Sequence, residues 1–400
     1  MNFAKHPEEA FKSLLEFQPN KPLMVTEFWS GWFDHWGEEH HAFEPTDFEE
    51  RLSTILKHNA SVNFYMFVGG TNFGFWNGAN HDPKDGYLPT VTSYDYDAPI
   101  SENGDITPKF AVIRKLIMKY GLGPVDWIDT PPNAERKGYG RVDMVKSLMY
   151  TDMMDMLSDV SSSLRKPVSM ERLDINNNGG QGYGWILYRT AFTQGEKLSF
   201  RGDLKDSFQV FLNGKPITKG TWETKPEAIS LPASNQLKNT LDIFVENCGR
   251  VNFKATNNSR HILNQQHKGI LGEVLLDGKV LENWLHVPYE FNHKMRESLK
   301  ALHMWKPYQA QYVPTAYYAK LSIPSQPVDT FLDMTGWEKG IVLLNGYNLG
   351  RYWNEKGPQT RLYVPAPLLV KGDNDVVVFE LFKPHDSVAF MDSPGLSPQL

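Results

Sequence analysis

The sequence predicts a multidomain α/β plus all-β protein, with an α/β region at the N-terminus and two all-β domains after it. Helical and strand-like patterns alternate over roughly the first 120 of the 400 residues, which is typical of βα units with parallel strands. From about residue 141 onward, short apolar runs are separated by Gly, Asn and Asp, as in sandwiches and jelly rolls. Because 40% of the residues are hydrophobic and 13% are aromatic, the composition excludes an intrinsically disordered chain.

The α/β region is predicted to contain a helix, a strand, a helix, a strand and a helix, in that order. The predicted elements are a helix at Pro7–Phe17, an apolar strand at Leu23–Val25 that leads to Glu27, a helix at about Asp47–His58, a strand at Val62–Val68 and a helix at about Thr107–Tyr120. Thr46 and Glu49 form a plausible capping box for the second helix, and Gly121 is a natural end for the third. The long loops follow the strands, which is where (β/α)8 barrels carry their catalytic groups.

The segment VTEFWSGWFDHWG, residues 25–37, places one carboxylate, Glu27, among many aromatic side chains. The aromatic residues are Phe28, Trp29, Trp32, Phe33 and Trp36. Ordinary cores rarely hold this combination, because a charged carboxylate is costly to bury without a partner. Sugar sites do hold it, since the C–H faces of a pyranose stack on flat rings while a carboxylate faces the anomeric carbon. The alternative is an amphipathic strand end whose tryptophans only pack, with Glu27 in solvent.

A faint internal repeat in the β region predicts two hairpins. QVFLNGKPI (209–217) resembles VLLNGYNLG (342–350), and each has Asn-Gly between apolar runs, which is the strongest short-range hairpin signal. Three prolines and scattered charge predict a linker at residues 122–140, ahead of the β domains.

Charge and hydropathy argue against several classes of function. The net charge is −6 and no dense stripe of Lys and Arg is present, which argues against a nucleic-acid partner. No stretch of the sequence approaches the roughly 18 consecutive apolar residues of a membrane span. The N-terminus lacks the charged-then-apolar pattern of a signal peptide. Cys248 is the only cysteine, so no intrachain disulfide is possible and a packing role is expected. The adjacent His40 and His41 are not expected to bind a metal, because neighbouring helical residues do not face one way.

Three motifs of the α/β region resemble a known family. EFWSGWFDHWG (27–37), NFYMFVGGTNFGFWNGAN (63–80) and TSYDYDAP (92–99) are similar to the last third of the catalytic barrel of family 35 glycoside hydrolases. That family comprises the acid β-galactosidases and their animal relatives. The resemblance implies that residues 1–121 are the C-terminal portion of a (β/α)8 TIM barrel.

The resemblance continues into the β region. The motifs that carry it are GYGWILYRT, FVENCGRVNF, KGILGEV, GWEKGIVLLNGYNLGRYW and GPQTRLYVPAPLL. They are similar to the β domains of the same family. Two β-sandwich domains are therefore expected, a jelly-roll-like domain at 141–293 and a galactose-binding-like jelly roll at 294–400.

The resemblance implies a retaining glycosidase of the β-galactosidase type, which releases terminal β-galactose from glycans or glycoconjugates and needs no cofactor or metal. By resemblance Glu27 is the nucleophile, Tyr96 contacts the galactose and Trp29 occupies a further sugar-contact position. A retaining enzyme needs two carboxyl groups about 5–5.5 Å apart. A lysosomal, vacuolar or secreted location is also implied, whereas no oligomeric state is.

The family's second catalytic carboxylate, the acid/base, lies on an Asn-Glu motif after an earlier barrel strand and has no counterpart in this sequence. The chain is therefore expected to be a C-terminal fragment that is inactive alone. Asp34, Glu38, Glu39, Asp95 and Asp97 are nearby acids, but position and pKa must both be right for one of them to substitute. Asp95 and Asp97 alternate with Tyr94 and Tyr96. Either the aspartate pair or the tyrosine pair is therefore expected to face the site, and the other pair is expected to face the scaffold. The alternative function is a noncatalytic carbohydrate-binding or scaffold protein.

Overall fold

The structure is a computed structural model that describes residues 6–123, 129–158, 160–224, 226–254 and 266–396. This part of the chain forms an N-terminal α/β unit and two β sandwiches whose strands are interleaved in sequence. None of its helices is both long and apolar enough to cross a membrane.

The N-terminal unit packs its helices against one face of a two-stranded parallel sheet. Its elements are α1 (Pro7–Phe17), β1 (Met24–Trp29), α2 (Pro45–Lys57), β2 (Ser61–Tyr65), β3 (Gly70–Thr71), β4 (Ala79–Asp82), β5 (Gly86–Pro89), β6 (Ser93–Tyr94) and α3 (Pro108–Lys119). In β1 the side chains of Val25 and Phe28 are buried against the helices. Trp29 of β1 lies opposite Tyr65 of β2, so the C-terminal ends of both strands lie side by side.

The helices of this unit agree with the sequence predictions except at the start of α2. Helix α1 has the predicted bounds, and α3 ends as predicted because Gly121 takes a left-handed φ of 62°. The predicted capping box is wrong. Helix α2 begins at Pro45, ahead of Thr46, and its N-cap Glu44 makes no side-chain cap bond, since proline at the first helical position favours this start. Strand β2 is shorter than predicted and ends at Tyr65.

From Gly140 onward the described chain is mainly β. Its strands are β7 (Gly140–Asp143), β8 (Lys146–Met149), β9 (Ser162–Leu164), β10 (Trp185–Phe192), β11 (Lys197–Lys205), β12 (Ser207–Leu212), β13 (Lys215–Gly220), β14 (Ala228–Ser230), β15 (Asn239–Glu246), β16 (Val251–Lys254), β17 (Gly269–Leu276), β18 (Lys279–Val280), β19 (Trp284–Tyr289), β20 (Lys306–Pro307), β21 (Thr315–Ile323), β22 (Thr330–Asp333), β23 (Lys339–Leu344), β24 (Tyr347–Trp353), β25 (Arg361–Val364), β26 (Gly372–Glu380) and β27 (Ser387–Met391). The short helices α4 (Tyr150–Met153) and α5 (His293–Leu299) lie between them.

The first sandwich packs a six-stranded sheet against a four-stranded sheet. The strand orders are β13-β12-β15-β10-β19-β9 and β14-β11-β17-β18. Tyr188, Val210 and Ile243 from the larger sheet meet Leu198 and Val274 from the smaller one. These inward-facing apolar side chains form the core of the sandwich.

The second sandwich has the same architecture, with strand orders β20-β8-β21-β26-β23-β24 and β25-β22-β27-β7. It corrects one predicted boundary, because residues 141–149 were assigned to the first β domain. Strand β8 pairs with β21 and β7 pairs with β27, so both belong to the second sandwich. Their partners are distant in sequence, and local pattern could not reveal the pairing. Within the predicted linker, residues 124–128 lie outside the described residues.

Both Asn-Gly hairpins are confirmed. Asn213 and Gly214 join β12 to β13 with φ values of 52° and 74°. Asn345 and Gly346 join β23 to β24 with φ values of 50° and 79°. Two consecutive positive φ values identify the type I′ turn, whose twist matches that of the flanking strands.

The two six-stranded sheets also pack against each other. Trp185, Phe244 and Tyr289 of the first sandwich share one apolar cluster with Ile341 and Phe379 of the second. The ring centroids of Trp185 and Phe379 are 5.2 Å apart. The two sandwiches therefore share a continuous apolar layer.

The single cysteine is buried, which confirms its predicted packing role. Cys248 lies just after β15 and is 3% exposed. Burial raises the pKa of its thiol to about 12, so the group is a protonated thiol at physiological pH.

Candidate active site

Glu27 lies near the C-terminal end of β1 and is partly buried. Trp29 Nε1 donates a hydrogen bond to Glu27 Oε1 over 3.0 Å. Residues two apart on a strand point to the same face, which is why the indole reaches the carboxylate. The bond orients the carboxylate at the end of the strand.

Further rings continue from Trp29 as an aromatic wall. The ring centroids of Trp29 and Trp32 are 4.3 Å apart, and those of Trp32 and Phe33 are 4.9 Å apart. Tyr94 stacks on Phe33 at 5.2 Å, and Tyr96 lies 6.0 Å from Trp32. We refer to these five residues as the aromatic wall, which offers flat faces of the kind that sugar rings stack on.

Three tyrosines converge at this end of the sheet. The hydroxyl of Tyr65, at the end of β2, is 3.2 Å from that of Tyr94, and its ring meets the Tyr96 ring edge-on at 5.6 Å. Burial, with smaller contributions from Tyr65 and Glu27, raises the pKa of both Tyr94 and Tyr96. Both hydroxyls therefore stay protonated and can donate. The Tyr96 hydroxyl is buried and has no hydrogen-bond partner among the described residues, so this donor is unsatisfied in that part of the chain.

The backbone around Tyr96 is fixed by a buried lysine and a close approach. Tyr96 and Asp97 both have left-handed φ values, 64° and 50°. Lys109 of α3 pairs with the Asp97 carboxylate and donates to the carbonyls of Asp97 and Ser30 at 2.7 and 2.8 Å. A Cβ on Gly31 would lie 1.9 Å from the Tyr96 carbonyl oxygen, so only glycine permits this contact.

The aspartates that alternate with these tyrosines bind the scaffold. Asp95 Oδ1 accepts a hydrogen bond from the backbone N–H of Glu102 at 2.6 Å, and burial raises the pKa of Asp95. Asp97 is held by Lys109 and also accepts from the backbone N–H of Phe43 at 2.6 Å. The predicted division is therefore seen, with the tyrosine pair forming part of the aromatic wall and the aspartate pair facing the scaffold.

The acids that follow the aromatic wall are paired with histidines. The Asp34 carboxylate lies 2.7 Å from His40 Nδ1 and 2.9 Å from His41 Nδ1. These bonds outweigh the opposing effect of burial and lower the pKa of Asp34 to about 2. Glu38 is bonded in the same way to the ring and backbone N–H of His35. In the part of the chain that the structure describes, no group of three His, Cys, Asp or Glu residues could hold a metal.

Sequence reasoning did not single out Tyr65 or Glu102. A signal for Tyr65 existed, because it ends β2 just as Trp29 ends β1, and parallel strands bring such ends together. The Glu102 carboxylate accepts hydrogen bonds from Thr71 and Ser93, both at 2.5 Å, and burial raises the pKa of this acid to about 7. Its partners lie on two strands, Thr71 on β3 and Ser93 on β6, that pair across a long connection, so no spacing pattern could have revealed it.

Three sequence models match the chain. The model of glycosyl hydrolases family 35 matches residues 1–120, which include Glu27, Trp29 and Tyr96. The first all-β domain of β-galactosidase matches residues 167–290, and the galactose-binding domain of β-galactosidase matches residues 314–374. The chain belongs to glycosyl hydrolase family 35.

Relatives within family 35 are similar along nearly the whole chain. Beta-galactosidase-1-like protein 2 of Homo sapiens is 36% identical over 386 residues, which cover 96% of this chain and 58% of that protein. Beta-galactosidase of Felis catus is 35% identical over an alignment of 417 residues, which covers 97% of this chain and 59% of that protein. The chain thus spans less than two thirds of the length of these curated relatives. A solved GH2 β-galacturonidase from Eisenbergiella tayi matches 60% of this chain and 37% of that chain at 11% identity, and its TM-score of 0.20 is too low to compare folds.

Proposed function

We propose that the protein containing this chain is a retaining glycosidase of the β-galactosidase type, with Glu27 as the nucleophile. The observation that carries the proposal is the environment of Glu27. The carboxylate sits at the end of a strand, is oriented by Trp29, and shares that end of the sheet with Tyr96, whose hydroxyl has no partner in the described chain. Trp29 and Tyr96 are the proposed sugar contacts. The substrate is terminal β-galactose of glycans or glycoconjugates, in a lysosomal, vacuolar or secreted setting.

The proposed reaction has two steps on Glu27. A carboxylate oxygen attacks the anomeric carbon, the bond to the glycosidic oxygen breaks, and the leaving group departs with a proton from an acid/base carboxyl group. The product is a covalent galactosyl ester of Glu27. Water then gives its proton to the same acid/base group, attacks the anomeric carbon and releases β-galactose and the free carboxylate.

The N-terminal unit is proposed to be the C-terminal portion of a (β/α)8 TIM barrel over residues 1–121, with jelly-roll topology in both sandwiches. Parallel sheets are normally covered on both faces, yet Met24 and Tyr65, on the face away from the helices, are 44% and 38% exposed. Further parallel strands would cover that face and place Glu27 at the catalytic rim. Residues 1–121 expressed alone are therefore expected to aggregate or be proteolysed. A cooperative, protease-resistant 1–121 segment would argue against the barrel.

The acid/base carboxyl group is proposed to lie outside the sequence of this chain. Asp34, Glu38, Asp95 and Asp97 are each held by a histidine, a lysine or a backbone N–H, and the relatives have further length that this chain does not match. The chain 1–400 should therefore hydrolyse an aryl β-galactoside no faster than its Glu27→Gln variant. Turnover that this substitution abolishes would show that the acid/base lies within the 400 residues.

Azide rescue tests the role of Glu27 in the whole protein. Glu27→Gly removes the nucleophile and leaves space for azide beside the anomeric carbon. With a dinitrophenyl β-galactoside as the substrate, azide should attack that carbon, displace dinitrophenolate and give the α-galactosyl azide. For the unchanged protein, NMR should show that the β anomer of galactose is released first. Glu39→Gly, which alters an exposed acid of the loop that follows β1, is the matched control and should keep normal hydrolysis.

Two results would overturn this assignment. Initial release of α-galactose would mean an inverting reaction, and failure of azide to restore turnover in Glu27→Gly would mean that another group attacks the sugar. Galactoside binding without turnover in the unchanged whole protein would favour the noncatalytic carbohydrate-binding alternative.

A further inference from the structure

A cavity of about 480 Å³ lies where the N-terminal unit meets both sandwiches. Residues 74–78 of the N-terminal unit form one side, Tyr183 and Arg250 of the first sandwich form another, and Arg296 and Asn348 complete it. We call this space the junction cavity. It shares no lining residue with the aromatic wall around Glu27.

Aromatic surface is exposed at the junction cavity, and part of it is packed against buried rings. Trp76 is 87% exposed, and Tyr183 is 43% exposed. The Tyr183 ring stacks on Phe75 with centroids 5.3 Å apart and planes 17° apart, and Phe75 in turn packs edge-on against the buried Trp185. Exposed aromatic rings at the mouth of a concave surface are typical of ligand sites.

The polar lining of the junction cavity is cationic. Three arginines and one histidine line it and no Asp or Glu does among the residues the structure describes, although the chain carries a net charge of −6. Arg351 is paired with Glu246, and Arg250 is paired with Glu171. Arg296 donates through Nη1 to a backbone carbonyl at 2.7 Å, whereas its Nε is buried and has no acceptor within the described chain. Arg296, a lining residue of the cavity, therefore has a guanidinium N–H without an acceptor in the part of the chain that the structure describes.

We propose that the junction cavity binds a carboxylate-bearing sugar unit of a glycan. The C–H face of the sugar stacks on Trp76 and Tyr183, as pyranose rings do on flat aromatic surfaces. Its carboxylate accepts hydrogen bonds from Arg296, whose planar guanidinium matches that geometry. This second sugar site does not depend on the hydrolysis proposed for Glu27, and it gives the protein a preference for acidic glycans.

Calorimetric titration of the chain 1–400 tests the site with a matched pair of probes. The probes are a trisaccharide of galacturonic acid and its carboxyl-reduced neutral counterpart. The acidic trisaccharide should bind at least about tenfold more tightly, and its affinity should fall as salt is added. Trp76→Ala should weaken the binding about tenfold without unfolding the chain, because the side chain is 87% exposed. Arg296→Gln should remove the preference for the acidic probe.

Trp32→Ala separates this site from the one around Glu27. It removes a ring from the aromatic wall, so it should impair the proposed hydrolysis in the whole protein while leaving binding of the acidic trisaccharide unchanged. Equal affinity for the two probes, or affinity that survives Trp76→Ala, would overturn the proposal. Loss of acidic-probe binding in Trp32→Ala would place the binding at the Glu27 site instead.

Discussion

At the scale of single residues, the density of aromatic side chains around Glu27 was visible in the sequence, and the contacts among them were not. The strand pattern predicted that Glu27 and Trp29 lie together at a strand end. The sequence could not show that the indole bonds the carboxylate, or that Tyr96 is buried with an unpartnered hydroxyl. The position of Tyr96 depends on Gly31, which permits the close approach of the Tyr96 carbonyl, and on Lys109, which donates to the carbonyl of the next residue, Asp97.

Replacing Tyr96 with Phe should weaken sugar binding without reducing stability. The native hydroxyl has no partner within the described chain, so its removal should change the free energy of unfolding by less than about 0.5 kcal/mol. Loss of its hydrogen bond to the sugar should weaken galactoside binding about tenfold. Denaturant unfolding and the inhibition constant of galactose, both measured on the whole protein, check the two effects.

Tyr188→Phe is the matched control for that substitution. The Tyr188 hydroxyl donates to the Val168 carbonyl at 2.7 Å and accepts from the Ile270 N–H at 3.1 Å. Its loss should destabilise the fold by about 1–3 kcal/mol and leave galactose inhibition unchanged. If Tyr96→Phe behaved like this control, Tyr96 would be a structural residue only.

At the scale of elements, the sequence predicted correctly those helix ends and turns that depend on residues close together in the chain. The bounds of α1, the terminal Gly121 of α3 and the Asn-Gly turns of both hairpins were all predicted correctly. The capping box failed because Pro45 starts α2 one residue before Thr46. Strands β7 and β8 were assigned to the wrong domain because their pairing partners are far away in sequence.

The loop at residues 34–41 should be most stable at mildly acidic pH. The pKa of Asp34 is lowered to about 2, and those of His40 and His41 are raised, because the histidines bond Asp34. Because the pKa of Asp34 is lowered in the fold, its contribution to stability is complete above its ordinary pKa of 3.8 and is lost as the pH falls toward 2. Because the pKa values of the two histidines are raised in the fold, their contribution to stability is complete below their ordinary pKa of 6.5. It is lost as the pH rises through their pKa values in the fold.

The pKa of Glu38, which bonds His35 in the same loop, is also lowered from its ordinary value of 4.5, so hydrogen-exchange protection of this loop should be greatest between pH 4.5 and 6.5. Asp34→Asn should remove most of the decline above pH 6.5, because the histidines then lose their anionic partner. Protection that kept rising up to pH 8 in the unchanged chain would show that the histidines do not contribute as charged groups.

At the scale of the whole molecule, a buried polar network joins the N-terminal unit to both sandwiches. Arg351 of the second sandwich donates to the side chain of Asn77 in the N-terminal unit, and to the Asn247 carbonyl at 2.6 Å and Glu246 at 3.3 Å in the first sandwich. Lys339 lies 2.9 Å from Glu246. All five side chains are buried. Composition could not predict this network, since its members come from three distant parts of the sequence.

Arg351→Met should lower the free energy of unfolding by about 3–5 kcal/mol. It removes the cation that binds Asn77 and one of the two that face Glu246, so the N-terminal unit should also melt separately from the sandwiches in a calorimetric scan. Arg201→Met is the control, because its ion pair with Glu273 is exposed and its loss should leave the transition unchanged. A single, unshifted transition in Arg351→Met would show that the apolar contacts alone join the three parts.

Covalent labelling of the whole protein tests the assignment of Glu27 most directly. A 2-deoxy-2-fluoro-β-galactoside with a dinitrophenolate leaving group needs no acid to depart and slows the second step, so the galactosyl ester should accumulate. After digestion, mass spectrometry should find the added sugar at Glu27, on the peptide that spans residues 22–36, and the Glu27→Gln variant should carry none. Label on Asp34, Asp95 or Asp97, or label that persists in Glu27→Gln, would contradict the account.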